Sequence, residues 1–208
     1  MQININNTYN SYSHSPQNKI SFKGERLFPV NMFKSFYCGP QEEIYGYFTK
    51  MTADDIPLIQ QAKEFWQFTL FGPQILERFA KSTKKIQTYM VECPRFNSPS
   101  DKIQALASVK DEGDSFFVEF IQSASELPRG FDLKGAGSMI LYGITRLAEK
   151  LQKKFIHLES SNFDTDSFYQ KHFFISSPNS SRFILRKDDF PKLRKMLEEK
   201  YNISVPKE

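Results

Sequence analysis

The stretch that most constrains the fold runs from Ser115 to Tyr169. The apolar run from Phe116 to Gln122 reads as a central strand buried on both faces. After a loop, Ile140, Leu141, Ile144, Leu147, Ala148 and Leu151 recur at helical spacing from about Gly137, and Lys150, Lys153 and Lys154 close that helix at the negative end of its dipole. Phe155 to Ser160 then alternates Ile156 and Leu158 against His157 and Glu159, a second strand. A strand, helix and strand in this order return the chain to the same sheet in parallel, so at least one parallel pair is expected.

The flanking sequence supplies antiparallel partners. Glu43 to Lys50 alternates Ile44, Gly46 and Phe48 against Tyr45, Tyr47 and Thr49, as a strand does. Thr52, Asp54 and Asp55 favour a helix start, continued by Ile56, Ile59, Ala62 and Phe65/Trp66 on one face. Gly72-Pro73 ends that pattern, and Gln74 to Lys81 reads as a short second helix. Ile86 to Cys93 and Ile103 to Lys110 form a predicted hairpin, joined through Asp111–Asp114 to the central strand. Asp164 to Lys171 is a short helix carrying Phe168 and Tyr169. Phe183 to Arg186 is a last strand, and Asp188 and Asp189 precede a last helix, Pro191 to Tyr201.

A chain of 208 residues with 21 phenylalanines can bury a core as one domain. Residues 1–25, rich in Asn and Ser, read as a flexible tail, and 26–208 as that domain. The formal charge of +4 is too small to argue for nucleic acid. Cys38 and Cys93 have no CxxC partner and the chain has three histidines, which fits neither a zinc site nor a disulfide framework and suits a reducing compartment. The N-terminus lacks a signal-peptide pattern and no run approaches the ~20 apolar residues of a membrane span, so the reading is cytoplasmic, with no membrane.

Gly135-Ala136-Gly137-Ser138 stands directly ahead of the long helix. Free amides at a helix start, unobstructed by side chains, suit an anion such as a phosphate. The third glycine of GxGxxG and the Gly-Lys-Ser/Thr of a nucleoside triphosphate loop are both missing, and taken alone the segment fits a plain helix cap better.

The order of elements, with this loop and the later Tyr-bearing helix, resembles the GCN5-related N-acetyltransferase superfamily. That family's loop, Arg/Gln-x-x-Gly-x-Gly/Ala, falls on Asp132-Leu133-Lys134-Gly135-Ala136-Gly137. Its motif Asn-x-x-Ala-x-x-Leu/Phe-Tyr-x-x-x-Gly-Phe falls on Asn162, Thr165, Phe168, Tyr169, Phe173 and Phe174. The resemblance spans roughly Ile44 to Arg186. It implies an α/β fold with a mixed sheet, mostly antiparallel and twisted, splayed at the parallel pair and flanked by helices. It further implies acetyl-CoA as co-substrate, lying along Ile121, Gln122 and Ser123, with its pyrophosphate on the amides of Lys134, Gly135, Ala136, Gly137, Ser138 and Met139. Asn162 would hold the pantetheine arm or a water, and Tyr169 would protonate the departing thiolate. The acceptor would be a primary amine on a small molecule or a protein, attacking the thioester directly, in a monomer or homodimer.

Such an attack needs a base, and Glu119, two residues before Ile121 and expected to point the same way, is the candidate, against the alternative of a strand carboxylate paired with a cation. Glu159 and Glu92 are weaker candidates, and His157 reads as structural. Three positions depart from the family pattern: Asp132 in place of Arg/Gln, the long connection from Ser125 to Asp132, and Phe173 in place of glycine, which is expected to change the turn after Tyr169. These departures motivate a second reading, a non-catalytic protein of the same fold that binds acyl-CoA or a protein partner.

Overall fold

The computed structural model describes residues 22–35, 42–66, 86–124, 132–160, 163–177 and 180–204. Its strands are β1 (Glu25–Ser35), β2 (Glu42–Lys50), β3 (Ile86–Glu92), β4 (Ile103–Asp111), β5 (Ser115–Ser123), β6 (Asp132–Lys134), β7 (Phe155–Glu159), β8 (Ile175–Ser176) and β9 (Arg182–Arg186). Its helices are α1 (Ile56–Trp66), the single turn α2 (Pro99–Lys102), α3 (Ala136–Lys150), α4 (Phe163–Lys171) and α5 (Phe190–Tyr201). All nine strands join one sheet in the order β6-β1-β2-β3-β4-β5-β7-β9-β8. Each neighbouring pair is antiparallel except β5 and β7, which run parallel over Ser115–Val118 and Phe155–Leu158. The expected mixed sheet with its parallel pair is therefore present. The short helix expected over Gln74–Lys81 lies outside the described residues, as does most of the expected tail.

The two faces of the sheet carry two cores. On one, α3 and α5 pack side by side, and Ile140, Ile144 and Leu147 of α3 cluster with Phe48, Val91, Val118, Ile156, Leu193 and Leu197. Gly143 lets α3 approach β2: a methyl group there would stand 2.1 Å from Phe48 Cγ. On the other face, Ile59 and Ala62 of α1 pack with Met51, Met90, Ile103 and Leu106.

Composition misplaced the C-terminal end of the expected tail. Phe22, read as tail, is buried in the α1 core, and the Lys23 amide donates to Asp55 Oδ1 at 2.7 Å. The strand that follows, β1, was not predicted, and it contains Pro29. Pro29 pairs with Tyr47 of β2, while β6 covers only Phe33–Ser35, so among the described residues the proline sits where the outer side of β1 has no ladder bond to lose. At the start of α1 the expected roles are exchanged: the Asp55 carboxylate accepts from both the amide and the hydroxyl of Thr52, at 2.8 and 3.0 Å. Lys153 does not serve the α3 dipole as expected. It is buried over the Phe116 ring, donating to Asp111 Oδ1 at 2.7 Å and the Gly113 carbonyl at 2.6 Å, and so ties the β4–β5 turn to the end of α3.

Candidate functional site

The sheet opens between β5 and β7. Their pairing stops at Val118 and Leu158, so β5 continues from Glu119 to Ser123 with no strand on that side among the described residues. The direction of its backbone groups follows from the ladder with β4. The Ala124 amide donates to the Gln104 carbonyl at 2.8 Å, which makes 104/124, 106/122 and 108/120 the hydrogen-bonded pairs. Phe120 and Gln122 therefore direct their backbone groups at β4, whereas Ile121 and Ser123 direct theirs at the open edge. Gln122 was expected against the cofactor; its side-chain amide instead donates to the Ser123 carbonyl at 3.1 Å. The expectation that β5 is buried on both faces holds only for its first half, since Glu119 to Ser123 are all partly exposed.

Glu119 sits at an irregularity in the ladder. Val109 pairs with Val118 and Ser108 with Phe120, so Glu119 is the extra residue of a bulge. Its carboxylate accepts from Ser108 Oγ at 3.2 Å. Ser108 shares its face of β4 with Leu106, in the α1 core, and Phe120 packs there too. Ile121 packs against the α3 core. Simple alternation predicted one direction for Glu119 and Ile121; the bulge breaks that parity and turns Glu119 to the opposite face.

The open edge ends at the start of α3. Gly135, which caps the helix with φ 102°, adopts a left-handed conformation and leaves no room for a side chain, since a methyl group would lie 2.4 Å from Tyr201 Cε1. Gly137 faces a narrow gap on the other side: a methyl group there would meet Ser123 Oγ at 3.1 Å and Phe168 Cζ at 3.4 Å. Ser123 at the end of β5, Gly137 in the first turn of α3 and Phe168 of α4 thus converge on one point. The amides of Ala136, Gly137 and Ser138 precede the first intrahelical bond, and among the described residues no side chain caps them. The expected cradle is narrower than the resemblance implied. The Met139 amide already donates to the Gly135 carbonyl at 2.8 Å, and Lys134 belongs to β6, paired with Phe33, its side chain exposed.

On α4 the two aromatic residues divide the work differently from expectation. Tyr169 is buried in the core, its ring 5.9 Å from that of Phe174 and 5.5 Å from that of Phe183 on β9, while Phe168 faces Gly137. Burial, with a smaller contribution from the charge of Asp166, pushes the Tyr169 phenol up to about 12. Phe173 holds φ at 64°, so the turn after α4 takes a conformation that a phenylalanine adopts only under strain. Asn162 lies outside the described residues.

The sequence reading passed over His172. Its Nε2 lies 3.0 Å from Ser138 Oγ, and its Nδ1 lies 2.6 Å from the Phe168 carbonyl oxygen. A carbonyl can only accept, so Nδ1 carries the proton of the neutral ring and Nε2 accepts from the serine hydroxyl. The signal was available in part: Phe168 and His172 are four apart, about one helical turn, with His172 directly after the last residue of α4. Burial holds the His172 pKa below the usual imidazole value, with Lys200 of α5 and Lys171 lowering it further against the opposing Phe168 carbonyl. The unfolded chain therefore takes up a proton first as pH falls. Stability from this group is complete above about 6.5, the unfolded imidazole value, and declines below it until the folded ring protonates too. Urea unfolding from pH 7 downward should show this decline in the wild type and lose that component in His172→Gln.

The weaker base candidates are tied up elsewhere. Glu92 is buried and accepts from Nη2 and Nε of Arg26 at 3.0 and 3.2 Å, and Glu159 pairs with Arg182 at 3.2 Å. His157 stacks on Phe117 and bonds Glu112 at 3.1 Å, a structural role. Among the described residues no group of three or more His, Cys, Asp or Glu side chains is placed to hold a metal ion, and no helix is long and apolar enough to cross a membrane.

No protein-family model matches the chain, and no curated protein matches its sequence. Its structure does match solved ones. A tyrosine-to-phenylalanine mutant of the AtaT toxin, bound to the C-terminus of the antitoxin AtaR and to acetyl-CoA, superposes with a TM-score of 0.50 at 13% identity, over 70% of this chain and 96% of that one. The ribosomal-protein-S18-alanine N-acetyltransferase of Escherichia coli gives 0.48 at 16% identity, over 67% and 90%. The PaiA N-acetyltransferase of Thermoplasma acidophilum, in complex with coenzyme A, gives 0.45 at 18% identity, over 66% and 94%. The sheet order, the single parallel pair opening beyond Val118 and the helix that starts at that opening are those of the GCN5-related N-acetyltransferase fold, which is the fold of this chain.

Proposed function

We propose that the protein is an acyl-CoA-dependent N-acyltransferase, using acetyl-CoA to acylate a primary amine. One observation carries the reading: the open edge formed by the backbone of Ile121 and Ser123 runs directly into the uncapped amides of Ala136, Gly137 and Ser138. A ligand with an amide-bearing arm and an anionic end, such as pantetheine pyrophosphate, needs that sequence of groups. The bound co-substrate supplies the thioester carbonyl carbon to which the amine bonds as the bond to sulfur breaks.

The chain's own residues have three tasks. Backbone amides at the open edge polarise the thioester carbonyl. Glu119 takes the proton lost by the attacking amine; it lies on the face opposite α3, so the acceptor approaches from the α1 side. Tyr169, as a phenol held near 12, is a weaker acid than an ordinary thiol at about 8.5, so its role at sulfur is a donated hydrogen bond rather than full proton transfer. On this reading Tyr169→Phe lowers kcat while coenzyme A affinity stays at the wild-type level, and an unchanged kcat removes Tyr169 from the mechanism.

The burial of Tyr169 and the placement of Phe168 at Gly137 favour a second reading, a non-catalytic acyl-CoA-binding protein of the same fold. Thiol release from acetyl-CoA across a panel of primary amines separates the two. Amine-dependent release supports the transferase; coenzyme A binding with no release from any amine supports the binder.

A further inference from the structure

The mechanism above leaves one buried polar pair unused. Ser138 and His172 are both at least nine-tenths buried and connect α3 to α4 across 34 residues of sequence. We infer that His172 is a positioning residue for the anion-binding start of α3: by accepting from Ser138 and donating to the Phe168 carbonyl, it fixes the gap where Ser123, Gly137 and Phe168 meet. The inference rests on the acyl-CoA reading.

The geometry gives the histidine two separate effects. Ser138 is the third residue of its helix, where a hydroxyl can fold back on its own turn and occupy the groups an anion would use. Tied to His172 at 3.0 Å, that hydroxyl is turned toward α4, and Gly135 as the capping residue has no side chain to take its place. The first-turn amides are thus left for a ligand. The second effect is spacing. The His172 ring packs 4.3 Å from the Phe168 ring, and the same Phe168 closes on Gly137. Loss of the pair lets α4 shift against α3 at the place where the open edge meets the helix.

The test is calorimetric titration of coenzyme A into the full chain and into His172→Phe, His172→Gln, Ser138→Ala and the Ser138→Ala/His172→Phe double variant, with circular dichroism confirming that each is folded. His172→Phe should weaken binding about tenfold, the size of one lost hydrogen bond, and Ser138→Ala by less, because it removes the hydroxyl that would otherwise fold back together with the tie to His172. The double variant should bind no more weakly than His172→Phe, because the contact between the two side chains is lost once and no hydroxyl is left to fold back. His172→Gln, whose side-chain carbonyl can accept from Ser138, should retain binding within about threefold of the wild type. If the wild type shows transferase activity, the single variants raise KM for acetyl-CoA and leave kcat unchanged, a split that general loosening of the fold does not give. Folded variants that bind coenzyme A as the wild type does overturn the positioning role and leave the acyl-CoA reading standing. A wild type that does not bind coenzyme A overturns both. Should His172→Phe fail to fold, Ser138→Ala carries the same comparison.

Discussion

Glu119→Gln should lower amine-dependent turnover by about 10²- to 10⁴-fold, the range expected for loss of a general base, while coenzyme A affinity stays at the wild-type level. The substitution is nearly isosteric. Its amide oxygen can still accept from Ser108 Oγ, which lies 3.2 Å from the carboxylate now, so the bulge and the fold are kept and only proton uptake is lost. That separates the proposed role from the bland one. A carboxylate whose task is to pair with Ser108 and hold the bulge would leave turnover unchanged when replaced by glutamine. The pH dependence provides the second readout: the limb of the kcat/KM profile that reports an essential base in the free enzyme should disappear in the variant, and its retention would remove Glu119 from the mechanism.

Gly135→Ala should destabilise the fold by about 3 kcal/mol, from two sources that add. An L-residue held in the left-handed region costs about 1–2 kcal/mol, and overpacking a filled site costs about 1–3 kcal/mol. The obstructing atom is Tyr201 Cε1, 2.4 Å from the added methyl group. Tyr201 cannot move aside easily: it is buried, stacked on Phe33 with ring centroids 5.7 Å apart, and its carbonyl accepts from the buried Asn31 amide at 2.8 Å. A lower urea midpoint with an unchanged slope is the expected result. A midpoint within experimental error of the wild type would show that the turn into α3 relaxes freely, and with it the rigid start of the helix on which the binding proposal depends.

Most of the fold was legible because it is written in short-range periodicity. The alternation around Ile44 and Phe48, the helical spacing from Ile140 to Leu147 and the strand at Ile156 and Leu158 each fix a face without reference to the rest of the chain. What was missed depends on partners distant in sequence. β1 contains Pro29, which reads as a break until its open outer edge is known. Phe22 sits in a polar segment, and its burial comes from α1 and β3, which no local pattern announces.

The site was legible to the same depth. The glycine loop was found because a helix start with glycines is a local signal, and Gly137 does face Ser123 and Phe168. The direction of Glu119 was misread because alternation assumes a regular strand, and one extra residue opposite β4 reverses it. Tyr169 and Phe168 are adjacent, so periodicity alone could not say which of them enters the core and which faces the first turn of α3. His172 became visible only with Ser138 beside it, 34 residues away.

The measurement that bears most directly on the central claim is calorimetric titration of coenzyme A into the wild-type chain and into Gly137→Val. The account predicts a single site in the wild type. It predicts loss of that site in the variant, whose side chain would fill the space between Ser123 Oγ and Phe168, while circular dichroism shows the fold retained. Absence of binding in the wild type, or equal binding by a folded Gly137→Val, would contradict the placement of an acyl-CoA at the junction of β5 and α3.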